Sequence, residues 1–190
     1  MLNAENFIQE EFEQISKDFI ALKSLAPVIN HAADACIKAI QNNNKIMFCG
    51  NGGSAADAQH LAAELVGRYK INRKAIASIA LTTDTSILTA VANDFGYDTV
   101  FSRQVEALGN RDDVLIGIST SGNSPNIIKA FEAAKGQGVT TIALTGQKGG
   151  KMLSLADYII NVPSDTTNLI QTMHIAVGHI LCDLIEKSVK

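Results

Sequence analysis

From Lys45 onward, short apolar runs rich in Ile and Val alternate with stretches of helical periodicity, and this alternation restricts the fold more than any other feature of the chain. Strand-like runs lie near 45-49 (KIMFC), 76-81 (IASIAL), 113-118 (DVLIGI), 139-144 (VTTIAL) and 157-162 (DYIINV). Helical patterns fall between them, near 54-69, 85-92, 98-108, 125-136 and 150-156. A long helix closes the sequence at about 166-188, carrying Ile170, Met173, Val177, Leu181 and Leu184. Strands that are apolar on both faces belong in a parallel sheet with helices on either side. The pattern therefore predicts an α/β fold built on five strands.

Two helices precede the first strand. Phe7, Ile8, Phe12, Ile15, Phe19 and Ile20 make one apolar stripe, and a second helix after Pro27 carries Val28, Ala32, Cys36 and Ile40. With no strand before them, they are expected to form a packing or oligomerisation arm. No internal repeat, low-complexity tract or Gly/Ser-rich linker divides the 190 residues. The expectation is a single domain: arm 1-43, α/β core 44-163, C-terminal helix 164-190.

Charge and cysteine usage narrow the function classes. Sixteen basic and nineteen acidic side chains leave a net charge of -3, without the basic excess that binding a phosphate backbone requires, so no direct nucleic-acid partner is expected. Cys36, Cys49 and Cys182 form no C-x-x-C pair and read as thiols in a reducing compartment. The acidic start MLNAENFIQEEFEQ lacks the basic beginning and apolar core of a signal peptide. No run approaches the roughly 18 apolar residues of a membrane span, so a cytoplasmic protein with no membrane partner is expected.

Two strand-to-helix junctions carry the chemistry, at the carboxyl ends of strands, where open parallel sheets bind ligands. The first is Gly50-Asn51-Gly52-Gly53-Ser54. Gly50, Gly52 and Ala55 satisfy the looser dinucleotide pattern G-x-G-x-x-A, but the acidic residue after the next strand, Asp84, lies nearer thirty than about twenty residues downstream, which disfavours nicotinamide binding. The second is Ser119-Thr120-Ser121-Gly122-Asn123-Ser124, with Pro125 opening a helix. Pro suits the first helical position and makes Ser124 the N-cap. Hydroxyls and a turn glycine at a helix N-terminus favour an anion. Without a Walker lysine, such a cradle suits holding a phosphate monoester rather than cleaving a triphosphate; a capped turn of ordinary polar residues explains the same string.

His60 and Glu64 are four residues apart and share a helix face. Their neighbours Ala56, Ala58, Leu61, Ala62, Ala63, Leu65 and Val66 describe a largely buried helix, on which both polar groups need partners. Gln171 and His179 on the last helix differ by about 80° around its axis and could converge on them, with His174 off that line and structural. Two imidazoles, a carboxylate and an amide oxygen form a ligand set acceptable to zinc. A buried hydrogen-bond network accounts for them equally, and the spacing leaves both open.

The stretches CGNGGSAADAQHLAAELVGRY, AVANDFGY, FSRQVEALG, GISTSGNS and ALTG, with Ile170-Gln171 and His179, resemble the phosphoheptose isomerase branch of the sugar isomerase (SIS) family over almost the whole chain. The resemblance implies a flavodoxin-like three-layer sandwich assembled as a homotetramer with active sites at subunit interfaces. It implies conversion of D-sedoheptulose 7-phosphate to D-glycero-D-manno-heptose 7-phosphate, the entry to bacterial ADP-heptose and lipopolysaccharide, and one zinc ion per subunit. Matched residue by residue, the metal ligands are His60, Glu64, Gln171 and His179, and the acid/base pair is Glu64 and His179. The substrate-binding positions are Asn51, Gly52, Gly53, Asn93, Asp94, Ser119, Thr120, Ser121 and Ser124, together with Glu64 and Gln171. Where the family commonly has a charged residue on each side of the Ile-Gln pair, this chain has Leu169 and Thr172. A non-catalytic relative of the same fold, which binds the bacterial replication initiator, is the alternative; retention of both Glu64 and His179 speaks against it. A sugar-phosphate-sensing regulatory domain is the third reading, for which no fused module is expected here.

Overall fold

The computed structural model describes residues 3-189. Strands β1 (Ile46–Gly50), β2 (Ser78–Ala80), β3 (Val114–Ser119), β4 (Thr140–Thr145) and β5 (Tyr158–Asn161) form one sheet in the order β2-β1-β3-β4-β5. Every pairing is parallel. The registers set Phe48 beside Ile116 and Ile116 beside Ile142, so residues of one parity make continuous rows across the sheet.

Alternation along the strands divides the core in two. Ile46, Phe48, Ile116, Ile142 and Ile160 face a layer containing α2 (Ala26–Gln41), α3 (Gly53–Val66) and α7 (Thr167–Ser188). Met47, Cys49, Leu115 and Ala143 face the opposite layer, with α4 (Thr85–Phe95), α5 (Ser102–Leu108) and α6 (Pro125–Gln137). This is the expected flavodoxin-like sandwich. The order reverses between β1 and β3, because the chain leaves β1 for β2 on one side and returns to place β3 on the other. Such a reversal opens a crevice at the carboxyl ends of both strands, and the two junctions singled out from sequence occupy it.

Several elements are shorter than the periodicity suggests, among them β5, Tyr158–Asn161 against 157-162, and α3, which ends at Val66 rather than 69. The 76-81 run yields only the edge strand Ser78–Ala80. The 98-108 helix splits into a 3-10 turn, Tyr97–Thr99, and α5, while 150-156 is the 3-10 turn Gly150–Ser154. In both turns a glycine with positive φ, Gly96 or Gly149, caps the start. A further correction concerns α3, which has one buried face, formed by Ser54, Ala58, Leu61, Ala62 and Leu65, and an outer face on which Ala56, Ala63 and Val66 are exposed.

The opening helix α1 (Ala4–Ala21) runs through a 3-10 turn into α2. Its apolar stripe is largely uncovered: Phe7, Ile8, Phe12 and Ile20 are exposed. A cleft of about 340 Å³ separates the arm from α7, walled by Phe19, Leu22, Ile29, Ile180 and Leu184 among others. By length and composition α7 could cross a membrane. It instead buries Met173, Val177, Leu181 and Ile185 in the protein, along with the polar His174 and Glu186. All three cysteines are buried free thiols, and burial pushes the Cys49 thiol up to about 12.

Candidate active site

The glycine loop between β1 and α3 depends on Gly52, which sits at the α3 N-cap with φ 55° and ψ -122°, a conformation that L side chains rarely adopt. Asn51 beside it does not present a free amide. Asn51 and the buried Asn126 exchange two hydrogen bonds, Nδ2 to Oδ1 in each direction, at 3.0 and 2.8 Å, and Tyr97 donates its hydroxyl to Asn51 Oδ1 at 3.2 Å. Thus the Asn51 side chain ties the first junction to α6, and the second junction is braced at the same point.

In that second junction Ser124 occupies the N-cap of α6 with extended backbone, but its side chain makes no capping bond. Its hydroxyl pairs with Ser119 Oγ at 2.9 Å instead. Ser119 Oγ also accepts from Gly122 N at 3.1 Å, and Ser121 Oγ accepts from Asn123 N at 3.2 Å. The expectation that Ser124 caps by its side chain is corrected: Ser119, reaching over from the end of β3, offers a partner the local sequence could not reveal. Thr120 and Ser121 line a cleft of about 260 Å³ with Asn123, Lys148, Asp165 and Thr167. Lys148 pairs with Asp165 at 3.3 Å while remaining mostly exposed. It brings a positive charge to a cradle whose own loop has no Walker lysine. Its signal was the Gly146-Gln147-Lys148-Gly149 string after β4, a third loop at the same sheet edge.

The third group joins α3 to α7. His60 and His179 come from positions 119 residues apart, and their Nε2 atoms stand 2.9 Å apart. Glu64 Oε1 lies 3.2 Å from His60 Nε2, and side-chain exposure is 50% for His60 and 23% for Glu64. One donor atom from each of the three falls within 4.8 Å of the others. These are the nitrogen and oxygen donors of a zinc site, and tetrahedral bonds of about 2.1 Å would hold ligand atoms roughly 3.4 Å apart, so the residues fit such an ion. Asp57, one turn before His60, has a buried Oδ2 with no hydrogen-bond partner among the described residues, and burial pushes its pKa up while the nearby His60 pulls it down. Nothing in the sequence spacing distinguishes Asp57; the burial of its Oδ2 does.

Gln171 does not join this triad within one chain. Its carboxamide abuts Gly53 at the first turn of α3, where an added Cβ would come within 2.7 Å of Nε2. Eight residues turn α7 by about 80° but also advance it by about 12 Å, and that rise separates Gln171 from His179 although their angles suit one site. Asn93 and Asp94 lie exposed at the end of α4, with Asn93 Nδ2 donating to Asp94 Oδ1 at 2.8 Å. The Tyr97 contact with Asn51 brings that end of α4 toward the glycine loop. His174 is fully buried on α7 and is not among the clustered donor atoms, in keeping with its expected structural place off that line.

A family model described as the SIS domain matches residues 10-146. The chain is 58% identical to the phosphoheptose isomerase of Akkermansia muciniphila over 183 residues, covering 96% of this chain and 97% of that protein. Among solved structures, that of the phosphoheptose isomerase of Neisseria gonorrhoeae superposes with a TM-score of 0.92 at 44% identity, covering 97% of this chain and all of the other. The phosphoheptose isomerase structure from Francisella tularensis gives 0.94 at 38% identity, covering 98% and 100%.

Proposed function

The chain belongs to the SIS domain family and to its phosphoheptose isomerases; on that premise we propose that it interconverts D-sedoheptulose 7-phosphate and D-glycero-D-manno-heptose 7-phosphate by proton transfer through an enediolate. The observation that carries this reading is the meeting of Glu64 with two imidazoles across α3 and α7, α3 being the helix that starts at the glycine loop. Aldose-ketose exchange moves one proton between adjacent carbons while their oxygens trade carbonyl and hydroxyl character. Glu64 serves as the base for the carbon-bound proton, and His179 handles the protons on the oxygens. Ser119, Thr120, Ser121 and Ser124, at the N-terminus of α6, hold the phosphate with help from Lys148. That grip fixes the open-chain sugar at a distance from the reacting carbons. Asn93 and Asp94 receive sugar hydroxyls, and the backbone of Asn51, Gly52 and Gly53 lines the approach.

His60, Glu64 and His179 would hold a zinc ion, which when bound polarises the carbonyl and stabilises the developing negative charge. With an ion bound, Glu64 would have to leave it to act as the base, because a carboxylate held as a ligand is not free to take a proton. Gln171 serves as a fourth ligand only from another copy of the chain, since its own α7 carries it to Gly53. This separation, and the exposed apolar stripe of α1, support a homotetramer with sites at subunit interfaces; likeness to the phosphoheptose isomerases supports action in the cytoplasm in the supply of ADP-heptose for lipopolysaccharide. The test is to incubate the purified protein with sedoheptulose 7-phosphate, with and without a chelator, and to follow the aldose by NMR. Production of the aldose that stops in chelator and returns with added zinc is expected. No aldose under any condition would remove the isomerase reading, and full activity of demonstrably metal-free protein would remove the metal.

A further inference from the structure

The loop that follows α3 is fastened to α7 by one buried carboxylate. Glu186, 1% exposed, accepts hydrogen bonds from the main-chain N–H groups of Tyr69 at 2.8 Å, Lys70 at 2.7 Å and Ile71 at 3.1 Å, and from Arg73 Nε at 3.1 Å. A buried carboxylate is tolerated only with such a set of donors. Burial pushes its pKa up, but donation from Lys70, Tyr69 and Ile71 and the Arg73 charge outweigh it and hold the group below the usual carboxylate range. Arg73 extends the connection to the other helix, donating through Nη2 to the carbonyl of Glu64 and through Nη1 to that of Leu65, both at 2.8 Å. One ion pair therefore grips the last turn of α3 and the end of α7 together, beside Glu64 and about two helical turns beyond His179.

Tyr69 stands at this anchor, and its ring lies on His179: the centroids are 5.6 Å apart and the planes differ by 20°. The imidazole of His60 meets His179 from another direction, with centroids 5.1 Å apart and planes at 64°. His179 is thus held between an aromatic face and an aromatic edge, both geometries that attract. Lys70 Nζ sits 5.0 Å from the Tyr69 centroid and 3.0 Å from Asp183 on α7, restraining the outer side of the ring. A stacked imidazole cannot swing out of its plane without losing that contact. We propose that Tyr69 is a positioning residue for His179, fixing the imidazole plane from a main-chain anchor supplied by the Glu186–Arg73 pair, a role that rests on the active-site reading above. Misplacing a catalytic group by about 1 Å can cost on the order of a hundredfold in rate, which is the scale on which this contact acts.

The test compares Tyr69→Phe, which keeps the ring, with Tyr69→Leu and Tyr69→Met, which keep apolar bulk without it; two apolar replacements guard against misfolding of one. In the metal-loaded enzyme the apolar variants should lose about 10- to 100-fold in kcat with KM little changed, and should release metal to a chelator more readily by a similar factor. Tyr69→Phe should match the wild type in both. NMR of the His179 ring protons supplies a readout independent of turnover: the ring-current shift from Tyr69 should persist in Tyr69→Phe and vanish in Tyr69→Leu. In a His179→Gln background, Tyr69→Leu should lower turnover no further, since residues acting through one group are not additive. Apolar variants that lower only the melting temperature, with wild-type kcat and metal retention, would overturn the proposal while His179→Gln, if inactive, leaves the active-site reading intact. Wild-type turnover in His179→Gln would instead overturn that reading.

Discussion

Acid should destabilise this protein through His174. The imidazole is 0% exposed on the inner side of α7, and neither ring nitrogen has a hydrogen-bond partner among the described residues. Burial pushes its pKa down from 6.5 to about 4; the Thr145 main chain favours the charged ring slightly, without forming a bond of good geometry to either nitrogen. The unfolded chain therefore takes up a proton near pH 6.5, while the native state refuses it until about pH 4. Stability owed to the neutral ring is complete above pH 6.5 and is lost as the pH falls through that window. A gap of about two and a half pH units, at about 1.4 kcal/mol each, corresponds to roughly 3 kcal/mol. That is a large share of the 5 to 15 kcal/mol typical of a domain. The assay is urea unfolding of the wild type and His174→Leu at pH 7, 6, 5 and 4. At pH 7 the variant carries a fixed packing penalty of about 1-3 kcal/mol for its altered shape. On acidification the difference should move in favour of the variant by up to ~3 kcal/mol, most of it between pH 6.5 and 4, because contributions from all other groups cancel between the two proteins. A difference that stays constant with pH would refute the reasoning and place the buried ring in a solvated or hydrogen-bonded setting.

Glu64→Gln keeps the shape of the side chain but removes its basic oxygen, so turnover should fall about 10²- to 10⁴-fold; steady-state kinetics on a variant with an unchanged circular dichroism spectrum checks this. Ser124→Ala removes the bond to Ser119 but no side-chain cap, so it should cost only about 0.5-1.5 kcal/mol in stability while raising the inhibition constant of inorganic phosphate; thermal melting and phosphate inhibition measure the two. Gly122→Ala places a side chain at φ 64° against the carbonyl of Gly149; strain at such a position costs about 1-3 kcal/mol, and melting temperature and phosphate affinity should fall together.

The parallel sheet, the glycine turn at Gly52 and the anion-friendly start of α6 were legible in the sequence because each is written locally. Strand alternation, a residue with positive φ and a proline at a helix start need no knowledge of distant partners. His60 and Glu64 were legible for the same reason, since four residues on one helix necessarily share a face. What lay beyond the sequence was set by distances between elements. Gln171 and His179 point to related sides of α7 but stand about 12 Å apart along it, and only the position of α3 shows which of its residues each one meets. Ser124 finds Ser119 rather than its own helix, Lys148 arrives at the Thr120–Ser121 cleft from a third strand, and Tyr69 reaches His179 because Glu186 draws its loop down. Local patterns record backbone preference and burial, which act over a few residues; a site assembled from separate loops and helices depends on how the sheet spaces them, and that spacing is a property of the packed chain.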